Sequence, residues 1–236
     1  KRGEGQAFLA RELPQLRKRY SESPSARFGE YLYSLEADYC GSIGNPIMAL
    51  RAYDRLVHLV SSSKAIYTKE RMSVHLINQG WEMTAALQFA DALTVFEAAE
   101  ELTSPNRPAY AHLAEYIAVC NIYTNKLGSA LASINRALDH TDQELYRLDH
   151  ARRNYILAAV QFARGEFVKC HYALSETEEL DSEQDGWNFG VRFLGIMSVV
   201  QREKFDLARH QIEALRRHIE RLGKKAEVPQ RELLIY

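Results

Sequence analysis

Eight histidines and three cysteines are the residues of this 236-residue chain with most chemistry to offer, and their spacing limits what that chemistry can be. His112 and Glu115 lie three positions apart, so on a helix they share a face that a metal site could use. A complete site then needs a second liganding pair on a facing helix, and no His-Glu partner is spaced to supply it. Cys-x-x-Cys, a glycine-rich phosphate loop after a strand and a G-x-S-x-G turn are all missing. Cys40, Cys120 and Cys170 are odd in number, widely separated and set in apolar helical patterns. That usage fits buried, reduced thiols in a reducing cytoplasmic compartment, and buried thiols are inert. The expectation is a chain with no metal, no cofactor and no enzymatic activity.

Composition narrows the partners. Lysine plus arginine (30) nearly cancels aspartate plus glutamate (31), so no global field favours nucleic acid or an anionic membrane. Two local basic clusters, Arg17 to Arg19 and Arg216, Arg217, Arg221, Lys224 and Lys225, have no interleaved aromatics and read as solvated helix faces. No apolar run approaches the roughly 18 residues of a membrane span, and no secretory signal opens the chain. Beginning at Lys1 without methionine and stopping in an apolar run, the sequence reads as a piece of a longer protein.

The elements that must position any site repeat. At 89–102 an aromatic residue opens a short helix, a small residue follows three positions on and a bulky residue four beyond that: Phe89, Ala92, Phe96, then Ala99. The same skeleton returns as Leu127, Ala130, Ile134 and Ala137, as Phe167, Cys170, Leu174 and Thr177, and as Phe205, Ala208, Ile212 and Leu215. The small residues Ala92, Ala130, Cys170 and Ala208 are 38, 40 and 38 positions apart. A period of that size signifies stacked helical hairpins. One helix of each pair buries its stripe only by folding back on its partner and stacking on its neighbours. The small residue then faces the first helix of its own hairpin, where a larger one at Ala130 would force the axes beyond the 8 to 10 Å of close helix packing. The bulky residue fills the gap toward the next hairpin.

In chain order, 5–20 carries Phe8, Leu9, Leu13 and Leu16 at helical spacing, with Pro14 as a kink or a late start. Complete hairpins are expected at 25–62, 64–103, 107–140, 142–181 and 185–222, with flanking partial repeats at 5–20 and 226–236, all in one domain. Asn45 before Pro46 marks a helix start, because asparagine caps free N–H groups and proline has none to leave unpaired. The stretch 64–86 reads as one long first helix, with Gly80 inside it where two helices approach closely. Gly128 is expected at a turn, and Arg164 to Glu166 at another. Nothing alternates with period two, so the reading is all helix.

The second helices resemble tetratricopeptide repeats, including Pro105 shortly after the repeat at Phe89 and Gly80 where that family often has glycine. The resemblance covers about 31–222. It implies an all-α, right-handed superhelix of stacked antiparallel hairpins. Its departures are a spacing above the family's roughly 34 residues, a first-helix tryptophan and leucine-glycine signature that is mostly missing, and Thr177 and Leu215 at the second small position. These point to a divergent branch with longer first helices, of the sort found in bacterial regulators and scaffolds. A HEAT-like array has a compatible period, but its second helices lack the small-then-bulky order.

The resemblance also implies that first helices line a concave face. Transferred hairpin by hairpin, it selects Tyr31 and Asp38; His75, Asn78 and Trp81; His112, Glu115 and Tyr123; Arg152 and Tyr155; and Arg192. Arginine and aromatic side chains are the commonest anchors of interfaces. Packing is the alternative role for Trp81, Tyr123 and Tyr155, and solvation for the rest. Mixed charge along this face suits a protein or peptide segment of both signs, not a carboxylate clamp. The leading expectation is a non-enzymatic module that binds such a segment, with no membrane or nucleic acid as partner. The alternative is a ligand- or peptide-sensing domain of a bacterial signalling or transcription regulator.

Overall fold

The computed structural model describes residues 2–140, 147–177 and 185–222, and all of its regular structure is helical. Eleven helices follow in order: α1 (Arg2–Glu22), α2 (Ala26–Ser42), α3 (Pro46–Ser62), α4 (Lys69–Ala85), α5 (Phe89–Leu102), α6 (Pro108–Tyr123), α7 (Leu127–Asp139), α8 (Arg147–Ala163), α9 (Phe167–Ser175), α10 (Asp185–Gln201) and α11 (Phe205–Leu222). The chain divides into two compact units, Lys1–Leu113 and Ala114–Tyr236, and the division falls within α6.

In the first unit α1 packs on α2, α2 on α3, α3 on α4 and α4 on α5, so the helices pair in sequence order. The starts follow local chemistry. Ser25, Asn45 and Thr68 each accept a hydrogen bond from the backbone N–H three residues on, and Pro46 opens α3. Ala37, Ala52, Tyr53, Leu56, Val60 and Ile66 form the core beneath α2 and α3. Gly80 of α4 lies against α5 so tightly that a Cβ there would come within 2.5 Å of the Phe96 ring. Phe96 is fully buried, a contribution of about 1.5–3 kcal/mol for a side chain of its kind.

The second unit repeats the plan. Ala130, Ile134 and Ala137 of α7 share a core with Ala114 and Ala118 of α6 and with Ile156 and Val160 of α8. Cys170, Ala173 and Leu174 of α9 pack with Tyr155 and Ala158 of α8 and Leu194 of α10. Across both units the four small residues are sealed: Ala92, Ala130 and Cys170 have no exposed surface and Ala208 has 3%. Phe96, Ile134 and Leu174 are buried four positions on, whereas Ile212 in α11 is half exposed.

Several boundaries differ from the sequence expectation. Helix α1 runs through Pro14 from Arg2 to Glu22, so the helix does not start late. The expected long first helix at 64–86 begins instead at Lys69, because the Thr68 hydroxyl caps it at 3.1 Å from the Arg71 N–H and 64–67 forms a turn that buries Ile66. First helices are therefore 16 or 17 residues long, and at 64–68 the extra repeat length lies in the connection. Gly128 sits inside α7, not at a turn. The expected hairpin residues 142–146 and 178–181 and the expected partial repeat 226–236 lie outside the described residues.

The turn inside each hairpin has one form throughout. The residue two positions before the second helix is left-handed in all five: Gly44, Leu87, Asn125, Gly165 and Glu203, with φ between 57 and 75°. The next N–H then bonds back to a carbonyl five residues earlier, from Asn45 to Cys40, Gln88 to Met83, Lys126 to Asn121, Glu166 to Gln161 and Lys204 to Val199. This pattern terminates a helix by satisfying its last carbonyls, and glycine is its natural occupant. Leu87 and Glu203 hold the left-handed conformation at a cost of about 1–2 kcal/mol. Leu87→Gly is accordingly expected to raise unfolding free energy by about 1 kcal/mol in a urea titration, and a loss of stability would contradict the assignment of the turn.

Candidate functional site

The first helices carry the candidate residues, and the two units use them differently. In the first unit α2 and α4 are joined through Glu30, whose carboxylate lies 3.1 Å from His75 Nε2 and 3.4 Å from Arg71 Nη1. His75 is thus part of a bridge between successive first helices. Gln79, one turn on, donates to Asp54 of α3 at 2.8 Å. Tyr31, Asp38 and Asn78 are exposed to water. Trp81 and His112 are half-buried.

Two glutamates that sequence reading did not single out as structural are buried and clamped. Glu36 accepts from Arg17 of α1 at 2.5 Å and from Arg55 of α3 at 2.8 Å. Glu115 accepts from Arg152 at 2.6 Å and Arg153 at 2.8 Å, both on α8, and has no exposed surface. A carboxylate fully engaged by two guanidiniums is unavailable to a metal, which removes the His112–Glu115 pair from consideration. Among the described residues no group of three or more His, Cys, Asp or Glu side chains could hold a metal ion. Burial disfavours the Arg152 charge, but the charge and hydrogen bond of Glu115 together with nearby Tyr116 and Asp149 outweigh it and raise the guanidinium's pKa. The signal for both acids was present in the pattern, since Glu36 follows Leu32 by one helical turn and Glu115 stands between Ala111 and Ala118 at helical spacing on an apolar face.

The thiols are withdrawn from chemistry as well. Burial pushes the Cys120 thiol up to about 12 and the Cys170 thiol up to about 11, so neither offers thiolate near neutrality. Cys40 is only half-buried, less enclosed than its apolar pattern suggests, and desolvation raises its pKa too.

In the second unit the first helices α6, α8 and α10 enclose an apolar cleft of about 190 Å³. Buried Tyr155, Ile156 and Leu194 line it, with Tyr123 and Phe193 among the exposed aromatics on its border. Of the expected residues, Tyr123 and Tyr155 meet here, and Arg192 lies next to Phe193 on α10. Desolvation raises the Tyr123 phenol, which remains a neutral hydrogen-bonding group. Phe193 was missed by the sequence reading. Its signal was an exposed phenylalanine on a first helix, and ring stacking with Phe189 at 5.9 Å fixes its direction.

The Glu115 clamp is what holds α6 against α8 beside this cleft. Glu115→Ala leaves Arg153 buried without its counter-charge, and a loss of about 3–5 kcal/mol is expected in urea unfolding. Adding Arg153→Met to Glu115→Leu recovers most of that loss, since Arg152 is partly exposed and keeps Asp149 at 3.0 Å, so no uncompensated buried charge remains. A loss under about 1 kcal/mol for Glu115→Ala would show that the clamp carries no such weight.

No family model and no curated protein matches the chain. Solved structures do. BtubC (BKLC) from P. vanneervenii superposes with a TM-score of 0.72 at 12% identity, over 97% of this chain and 95% of that one. MamA from Desulfovibrio magneticus RS-1, from its residue 41 to the end, gives 0.61 at 16% identity over 84% and 98%. A further MamA structure gives 0.56 at 16% identity over 84% and 96%. Likeness at such identities is one of fold, and the fold is the tetratricopeptide-like array of helical hairpins that the second helices resemble.

Proposed function

We propose that the chain is a non-enzymatic interaction module, a bacterial scaffold or regulator piece whose first helices hold a segment of another protein. The cleft of α6, α8 and α10 carries this reading. Exposed Tyr123 and Phe193 beside a preformed apolar recess are the arrangement that interface anchors require, whereas a side chain serving only the core would be covered. The chemistry of the interior agrees, because the buried glutamate is neutralised by arginines and the buried thiols are inert. Free cysteines suit a reducing, cytoplasmic setting. A protein or peptide segment is the partner that suits an apolar recess bordered by exposed aromatic side chains, and no helix among the described residues is long and apolar enough to cross a membrane.

Site-specific photocrosslinking tests the reading. A benzophenone amino acid in place of Tyr123 or Phe193 is expected to yield adducts with a discrete protein in a lysate of the source organism. The same group in place of Tyr172, an exposed position on the second helix α9, is expected to yield none. Adducts at Tyr172 alone, or at no position, would contradict the proposal.

A further inference from the structure

We infer that the cleft of α6, α8 and α10 receives one aromatic side chain, that of a phenylalanine, from a peptide segment of the partner. This rests on the interaction reading above and names the chemistry of what is held. The cleft measures about 190 Å³. A cavity of about 150 Å³ lined by aliphatic and aromatic groups accommodates benzene and stays dry without it. One phenyl ring with its methylene therefore fits, and a second does not. The room exists because Ala159, Ala163 and Gly190 face the recess where larger residues would fill it.

Lining chemistry selects an aromatic ring over other side chains of that size. No charged side chain lines the cleft among the described residues, so a lysyl or carboxylate group would lose hydration without gaining a counter-charge. Phe162 and Phe193 offer ring edges and faces for offset or perpendicular contact, and the Met197 thioether makes favourable contacts with aromatic edges. Packing of Phe193 on Phe189 holds the border in place before any ligand arrives, which lowers the ordering needed on binding.

The test uses the full chain and two probes. Methyl-resolved NMR spectra are recorded during titration with toluene, the hydrocarbon of the phenylalanine side chain. Saturable shifts are expected at Met197, Leu194 and Ile156, with none at Met48 or Met72 in the first unit. Ala159→Leu, which places an isobutyl group in the recess, abolishes them, and Met197→Phe serves the same purpose if the first variant does not fold. A displayed library of random peptides is then selected on the wild type and on the filled variant. Peptides with a single aromatic residue are expected to be enriched at least about tenfold on the wild type relative to the filled variant. Absence of toluene shifts, or equal shifts in both units, would overturn the inference. Enrichment of peptides without an aromatic residue would overturn the anchor while leaving the interaction reading intact. Toluene binding with no peptide enriched would also overturn it, assigning the recess to a free aromatic compound.

Discussion

Close approach of the two helices within each hairpin is the constraint on which the rest of the structure depends. An α-helix with one apolar stripe has no stable isolated state, and its burial grows only as the axes draw together. In α4 and α5 the approach is set by Gly80, whose hydrogen faces the Phe96 ring where a methyl group would collide. On the second helices the small residues Ala92, Ala130, Cys170 and Ala208 are sealed from water, and Ala130 shares a core with Ala114 and Ala118 of the first helix before it. Ile134 shares a core with Ile156 and Val160 of the following hairpin, whereas Phe96 packs on Gly80 in the first helix of its own hairpin, where the sequence expectation had the bulky residue facing the next one. A local steric rule thus becomes a repeating core.

Much of this was legible in the sequence, and the reason is periodicity. Small-then-bulky order at a spacing near 38 to 40 residues identified the second helices and, through them, the fold. Hairpin turns were less legible. Gly44, Gly165 and Asn125 are residue types that favour a left-handed turn, while Leu87 and Glu203 adopt the same conformation without a compositional sign, because tertiary closure of the pair outweighs local preference. The start of α4 was misjudged for a related reason: apolar Ile66 continues the helical spacing by accident, whereas the Thr68 cap decides the boundary. Candidate groove residues were least legible. Spacing placed Glu115 and Tyr123 on the same first helix, but only the facing α8 reveals that one is locked between Arg152 and Arg153 while the other is partly exposed at the border of the cleft.

The division of labour between those residues explains how a helical array of this type hosts a recess without collapsing it. Charged clamps at Glu36 and Glu115 fix neighbouring helices by directional bonds that are costly to break singly. With α6 and α8 held in that way, small residues between them leave room that packing would otherwise close. Rigid aromatic side chains then border the opening. On the proposed reading recognition belongs to the first helices, and the second helices supply the spacing that lets them stand side by side.

A double-mutant cycle at Gly80 and Phe96 tests the steric premise most directly. Taken alone, Gly80→Ala is predicted to destabilise the chain, although alanine in an unobstructed helix gains about 1 kcal/mol over glycine. In the Phe96→Leu background the same substitution is predicted to be neutral or stabilising, giving a coupling energy of about 1–2 kcal/mol between the sites. Additivity within about 0.5 kcal/mol would contradict the account, since it would mean that the ring and the glycine do not set each other's position.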